Sequence, residues 1–164
     1  MCLRPFRGAL SERNLPMIMT LNRRTFLATA AIFAATPTLA ASQKVVFHRN
    51  PGCGCCEAWS KLMAEAGMPV EMRDSNDLDA LQQEMNVPAD LRGCHAGVMG
   101  GYAVSGHVPP ADIKRLLAEK PDAVGLAVPG MPAGSPGMEG GGQDPYDVIL
   151  FRADGTREVF ARYA

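Results

Sequence analysis

The stretch His48–Trp59, HRNPGCGCCEAW, puts three cysteines into four residues. A short apolar run, Lys44–Arg49, precedes it, and Asn50-Pro51-Gly52 supplies turn chemistry. After it, Trp59, Leu62, Met63 and Ala66 fall at the spacing of one helix face, and Gly67 can end that helix. The sulfurs therefore crowd a strand-to-helix turn. A structural disulfide framework spreads its cysteines to close long loops. A mononuclear zinc site usually spaces its cysteine ligands by two to four residues. Three thiols bunched in one turn do neither, and the third is the one that needs a role.

The first 40 residues read as a separate segment. Arg23 and Arg24 precede an apolar stretch, Phe26–Ala35, which ends in the small residues around Thr38-Leu39-Ala40. That order of charge, apolar run and small residues is the form of a secretory signal peptide, with NRRTFL similar to a twin-arginine export motif and cleavage expected near Ala40. The apolar stretch is too short to span a bilayer. Translation is expected to start at Met17 or Met19. Residues 41–164 are then one domain that can bury a core unaided, exported to the periplasm.

Residues 1–40 hold five of the 16 Lys and Arg and one of the 17 Asp and Glu, so the domain carries 11 against 16, a net charge of −5. That balance argues against a nucleic-acid partner and offers no polybasic membrane anchor. Cys2 leaves with the signal, and Cys53, Cys55, Cys56 and Cys94 remain.

Along the domain, Pro69–Asp74 alternates as a half-buried strand. Leu78, Leu81 and Met85 repeat at helical spacing behind the capping side chains of Ser75–Asp77. His95–Val108 reads as two strands about Gly100-Gly101, and Pro109-Pro110 opens a third helix with Ile113, Leu116 and Leu117 inward. Residues 128–145, rich in Gly, Pro and Met, form a long irregular loop, a kind that in compact domains is usually functional or disordered. Tyr146–Phe151 and Arg157–Tyr163 close the chain as a hairpin.

The order strand, helix, strand, helix, strand, strand, helix, hairpin matches a thioredoxin-like α/β fold. Such a fold has three layers, a central mixed sheet flanked by helices, here with an extra C-terminal β-hairpin. This topology brings the start of the first helix beside the start of the third strand, and so Cys94 beside the upstream trio. Cys53 and Cys56 form a C-x-x-C at a helix N-terminus, a redox signature in this context, because the helix end stabilises a thiolate. Yet Cys55 inside the pair and Cys94 nearby enrich the site in sulfur beyond what a dithiol enzyme needs. Soft thiolates select Cu(I), zinc or iron–sulfur clusters. Adjacent Cys55 and Cys56 cannot easily face one ion, whereas sulfurs that bridge several Cu(I) ions can be crowded.

Other soft residues divide by context. Met131 and Met138, in the Gly/Pro loop, are available as thioether donors. Met63, Met72 and Met85 fall on element stripes and read as core, as does Trp59. His48 ends the first strand near the cysteine turn, His107 closes the hairpin just before the third helix, and each of the three histidines is a candidate metal ligand. His95 follows Cys94, and strand alternation sends its side chain to the opposite face.

The combination NPGCGCC, GCHAG, GHVP and GLAVPGMPAGSPGME resembles the CopG-like copper-resistance proteins, long known as a domain of unknown function. The resemblance runs from about Lys44 to Arg162. It implies a periplasmic thioredoxin-like domain that binds copper through Cys53, Cys55, Cys56 and Cys94, with Met131, Met138 and His107 as auxiliary ligands. Other periplasmic copper-handling proteins would be its partners. Two further readings stay open. One is a thiol–disulfide oxidoreductase using Cys53 and Cys56. The other is a secreted scaffold whose cysteines form purely structural disulfides.

Overall fold

A computed structural model describes residues 45–164 of the chain. The expected signal segment, its cleavage point near Ala40 and the start at Met17 or Met19 lie outside the described residues.

Seven strands form one sheet in the order β2-β1-β3-β4-β5-β6-β7. β1 (Val45–Arg49) leads through the cysteine turn into α1 (Gly54–Glu65), and β2 (Val70–Asp74) returns parallel to β1. α2 (Leu78–Glu84) begins at Asp77, whose side chain accepts the Ala80 amide, as its capping chemistry predicts. A 3₁₀ turn (Ala89–Leu91) then leads to β3 (His95–Met99), which runs antiparallel to β1, and to β4 (Tyr102–Gly106), hairpinned on β3. α3 (Pro110–Glu119) follows, and β6 (Tyr146–Phe151) and β7 (Arg157–Tyr163) form the terminal hairpin. This is the thioredoxin-like α/β architecture, βαβ then ββα, with the expected C-terminal hairpin.

One strand goes beyond the sequence expectation. Gly125–Val128 forms β5, parallel to β4 and antiparallel to β6, and it joins the hairpin to the main sheet. All four of its residues are buried. A strand covered on both faces shows no alternation, and a four-residue apolar run carries no period of its own. The loop accordingly runs from residue 129 to 145.

Two apolar layers sandwich the sheet. On one face Phe47, Val104, Leu126, Val148 and Leu150 meet Trp59 and Met63 of α1 and Ile113 and Leu116 of α3. On the other, Ala103, Ala127 and Phe151 pack with Val87 and Leu91, with Met85 of the α2 end alongside. The inward readings of Trp59, Met63, Met72 and Met85 hold: the first two are fully buried and the others pack against these layers. Trp59 is also pinned by polarity, since its Nε1–H donates to the Val108 carbonyl at 2.9 Å, across the gap between α1 and the entry to α3.

Candidate metal centre

Strand order builds the site. β1 and β3 are antiparallel neighbours with Arg49 opposite His95, so the end of β1 and the start of β3 share one sheet edge. The Asn50 amide donates to the Cys94 carbonyl at 3.1 Å and ties the two segments together. Asn50-Pro51-Gly52 then turns the chain into α1, with Cys53 as its N-cap and Cys55 and Cys56 in its first turn. Arg49 locks this turn from outside: its guanidinium pairs with Glu57 and Asp74, and Nη1 donates to the Cys53 carbonyl at 3.3 Å.

The four sulfurs converge as the topology implies. One sulfur from each of Cys53, Cys55, Cys56 and Cys94 lies within 4.8 Å of every other. Their nearest spacings run around a closed ring. Cys53 to Cys55 is 3.3 Å, Cys55 to Cys94 is 4.0 Å, and Cys94 to Cys56 is 3.5 Å. Cys53 and Cys56 are joined as a disulfide, while Cys55 and Cys94 are free thiols. Cys56 is fully buried, whereas Cys53, Cys55 and Cys94 are partly exposed.

Two imidazoles extend the cluster inward. Cys94, His95 and His107 form a second group within 4.8 Å of one another. His107 places Nε2 3.2 Å from Cys94 Sγ, and its Nδ1 lies 2.7 Å from the Pro136 carbonyl. A carbonyl can only accept, so Nδ1 carries the proton and Nε2 presents a lone pair to the thiol. The same arrangement readies a histidine for a metal, with the outer nitrogen fixed by a backbone acceptor.

His95 corrects the sequence reading. Its Nδ1 lies 3.5 Å from Cys94 Sγ, and its ring packs against Trp59 and His107, with centroids 4.4 and 5.2 Å away. It thus faces α1 and the sulfurs, not the opposite side. Cys94 lies at a bend before β3 begins at His95. Counting alternate faces from Cys94 therefore starts one residue before the strand does. His95 Nε2 is buried without a hydrogen-bond partner.

The loop of residues 129–145 closes the site from the side of α1. Gly137, at φ +90°, passes so near the helix that a Cβ there would stand 2.6 Å from the Cys55 carbonyl oxygen and 2.9 Å from the Trp59 amide nitrogen. Sequence reasoning singled out the loop for its methionines but missed its backbone. The Pro136 carbonyl and the bare Gly137 are the loop's contacts with the site, and only the run of Gly and Pro hinted at a close approach. Met131 is 55% exposed. Met138 is partly buried and ties the loop to itself through its backbone bonds to Gly134 and Ser135. His48, on β1 opposite Arg73 and Ala96, is not part of either cluster.

Burial sets the protonation of the site. It pushes the Cys94 thiol up to about 12, helped by the neighbouring Cys55 sulfur. Burial also depresses His95 to about 3, with His107 adding to the effect. His107 is lowered too, mainly by burial, against the opposing pull of the Pro136 carbonyl and Glu139. Near neutrality the inner cluster is a protonated thiol between two neutral imidazoles. A cation entering it displaces a proton and gains the donors that the proton held.

The comparisons with known proteins agree with this picture. A family model described as a protein of unknown function, DUF411, matches residues 91–138, which include Cys94, His107 and the loop as far as Met138. A solved structure described as copper resistance protein CopG, form 1, is 44% identical, covers 73% of this chain and 96% of its own, and superposes with a TM-score of 0.69. This chain belongs to the CopG family. A second solved CopG structure, form 2, is 42% identical over 74% of this chain and all of its own, with a TM-score of 0.68. No curated protein matches the chain. Among the described residues, no helix is long and apolar enough to cross a membrane. The CopG fold here thus carries a clustered sulfur and imidazole donor set fit to hold a metal ion.

Proposed function

We propose that this protein binds copper as Cu(I) in a multinuclear thiolate site on Cys53, Cys55, Cys56 and Cys94, and serves copper resistance in the periplasm. The observation that carries the reading is the convergence of four sulfurs, each within 4.8 Å of every other. Two thiolates that share one metal at about 2.3 Å each stand roughly 3.8–4.6 Å apart, from tetrahedral to linear geometry. The spacings of 3.3 to 4.0 Å need to open by at most about 1.3 Å, and reduction must part Cys53 from Cys56. Each sulfur has a neighbour on both sides, the arrangement that bridging ligands require. The solved relatives described as copper resistance proteins support copper as the cargo, and soft thiolates favour its Cu(I) state.

In this reading the chain's own groups divide the work. Reduction of the Cys53–Cys56 bond frees two of the four donors. The α1 N-terminus presents Cys53 and Cys55 at the mouth of the site. His107 adds an imidazole through Nε2 while Pro136 holds its outer nitrogen. Met131 and Met138 are auxiliary thioether donors carried by the loop. Residues 1–40 direct export and are removed, and other periplasmic copper-handling proteins deliver or receive the metal.

The test uses reduced protein under anaerobic conditions, titrated with Cu(I) and measured by metal analysis and X-ray absorption. More than one copper per chain with mainly sulfur neighbours is expected. Uptake no greater than that of a variant with all four cysteines replaced by serine would refute the reading.

The Cys53–Cys56 disulfide favours a second reading, a thiol–disulfide oxidoreductase. Turnover in an insulin-reduction assay that survives loss of Cys55 and Cys94 would make this the principal activity. A purely structural role accounts for only two of the four cysteines, since Cys55 and Cys94 are free.

A further inference from the structure

Cys94 stands just outside the sheet ladder that brings it to the site. The last β1–β3 pair is Arg49 with His95, and the last β3–β4 pair is Ala96 with Ser105, so among the described residues no ladder pair includes Gly93 or Cys94. A side chain of α2 takes that place. Gln82 Oε1 accepts the Gly93 amide at 3.1 Å, and Gln82 Nε2 donates to the Gly93 carbonyl at 3.2 Å. One carboxamide thus offers Gly93 both the acceptor and the donor that a paired strand residue would offer. Ser105, on β4, closes the knot. Its Oγ accepts the same Gly93 amide at 2.9 Å and donates to Gln82 Oε1 at 2.7 Å. Gln82 and Ser105 are both buried, and breaking such bonds leaves buried groups unpaired. Beside the knot Gly93 packs on Gly106, whose backbone nitrogen would stand 2.6 Å from a Cβ on Gly93. Gly93 is one residue from Cys94 and Gly106 is one from His107. The knot therefore fixes both ends of the 3.2 Å contact between Cys94 Sγ and His107 Nε2.

We propose that Gln82 is a positioning residue for the sulfur site: its buried carboxamide stands in for a strand neighbour of Gly93 and so holds Cys94 within reach of Cys55, Cys56 and His107. Gln82 acts through the Gly93 backbone. On the far side of the same residue, the Asn50 amide holds the Cys94 carbonyl at 3.1 Å. Cys94 is thus tied at both ends, once to the turn that carries the trio and once to α2. With the Gln82 tie released, the Gly93–Cys94 peptide can turn about the remaining one, and the Cys94 sulfur swings away from its neighbours. Burial makes the residue type telling. Gln82 shares the buried face of α2 with Leu78, one turn earlier. An apolar side chain there would fill the same space, and a buried amide is kept only where it has partners to satisfy. The partners it has are the two peptide groups of Gly93 and the hydroxyl of Ser105. What the protein gains from this placement rests on the copper reading. The placement itself does not, and it is measured without metal.

The test uses metal-free oxidised protein, in which Cys55 and Cys94 are the free thiols of the site, 4.0 Å apart. It is treated with dibromobimane, a short reagent with two alkylating arms, then quenched and digested with trypsin. A bridge joins the peptide of residues 50–61, which carries Cys55, to that of residues 93–114, which carries Cys94. The readout is the share of bimane-labelled Cys94 that is bridged to Cys55 rather than held by one arm, a ratio independent of how fast the thiol reacts. Gln82→Met, similar in size, removes the clamp. It should lower that share about five-fold or more, the change in population that one net hydrogen bond controls. Leu78→Ala opens a gap on the same face of α2 but leaves the amide, and should match wild type. Gln82→Asn draws the amide back by one methylene and should fall with Gln82→Met; it decides the question if that variant does not fold. A wild-type share in the Gln82 variants would overturn the proposal, and so would an equal fall in Leu78→Ala or a wild-type protein that forms no bridge. In reduced protein, Cu(I) affinity measured by competition with bathocuproine should drop in the Gln82 variants and hold in Leu78→Ala; undiminished affinity would overturn the role of Gln82 at the metal site. A wild type that takes no copper sinks the metal reading instead, and the bridge still decides what Gln82 does.

Discussion

Replacing Gly137 by alanine tests whether the 129–145 loop holds the site by direct packing on α1. Gly137 sits at φ +90°, where an L side chain costs about 1–2 kcal/mol. The new methyl would also stand 2.6 Å from the Cys55 carbonyl oxygen and 2.9 Å from the Trp59 amide nitrogen. Those atoms belong to the hydrogen-bonded start of a helix and cannot yield without breaking it, so the loop must retreat. Its retreat draws the Pro136 carbonyl away from His107 Nδ1, now 2.7 Å distant, and removes a bond worth about 1 kcal/mol. The expected total is about 2–3 kcal/mol, limited because the loop can lift before the domain unfolds. For a domain of this size that lowers the melting temperature by roughly 10 °C. Gly130→Ala is the control. It lies in the same loop at φ +73° with nothing within 4 Å of its Cβ position, so it carries the backbone strain alone. Urea and thermal unfolding of both variants give the difference between strain and contact. Nitrogen-15 NMR of His107 gives the tautomer. Gly137→Ala should lose about 1 kcal/mol or more beyond the control and show a mixed His107 tautomer. Equal losses, with the Nδ1–H form intact in both, would refute the packing argument.

Three further outcomes follow from the same contacts. Trp59→Phe removes the donor to the Val108 carbonyl and part of a fully buried ring, and should cost about 2–4 kcal/mol in urea unfolding. Tyr163→Phe leaves the buried Asp112 carboxylate without the hydroxyl that donates to it at 2.7 Å, while the stack on Tyr146 remains; a loss of about 1–3 kcal/mol by the same measurement is expected. His95 is held at about 3 in the fold, against 6.5 when exposed. Between those values the unfolded chain binds a proton that the folded chain does not, so stability falls as pH is lowered through this window. The slope approaches about 1.4 kcal/mol per pH unit near its middle. Metal-free His95→Phe should show a shallower acid slope than wild type over that range, and an unchanged slope would contradict a buried neutral imidazole.

What the sequence disclosed and what it withheld divide along a physical line. α1, α2 and α3 announce themselves through apolar spacing and through capping residues such as Asp77 and Gly67, because those signals act within a few residues. The convergence of Cys94 on the upstream trio was also legible, because strand order alone sets β3 beside β1. β5 was hidden because burial on both faces erased its alternation. His95 was placed on the wrong face because the bend at Cys94 shifts the count by one residue, and a bend of that kind depends on the tie between Asn50 and the Cys94 carbonyl. The Pro136 carbonyl and the approach of Gly137 were beyond reach for a different reason. A backbone acceptor has no residue identity, and a glycine that touches a helix looks in sequence like one that touches water.

Disulfide and metal draw on the same sulfurs, so in the proposed function the oxidation state sets the number of ligands. With Cys53 and Cys56 joined, only Cys55 and Cys94 remain as thiols, 4.0 Å apart and each next to a sulfur that cannot act as an anionic ligand. One metal ion fits between two such thiols, but a bridged cluster needs the other pair. Two-electron reduction alone completes the set of four. Metal content at saturation should therefore follow the thiol count of the preparation, chain for chain. A preparation that loads equally with and without its disulfide would show that the sulfurs of Cys53 and Cys56 are not ligands, and would leave Cys94, His95 and His107 as the inner donors to examine.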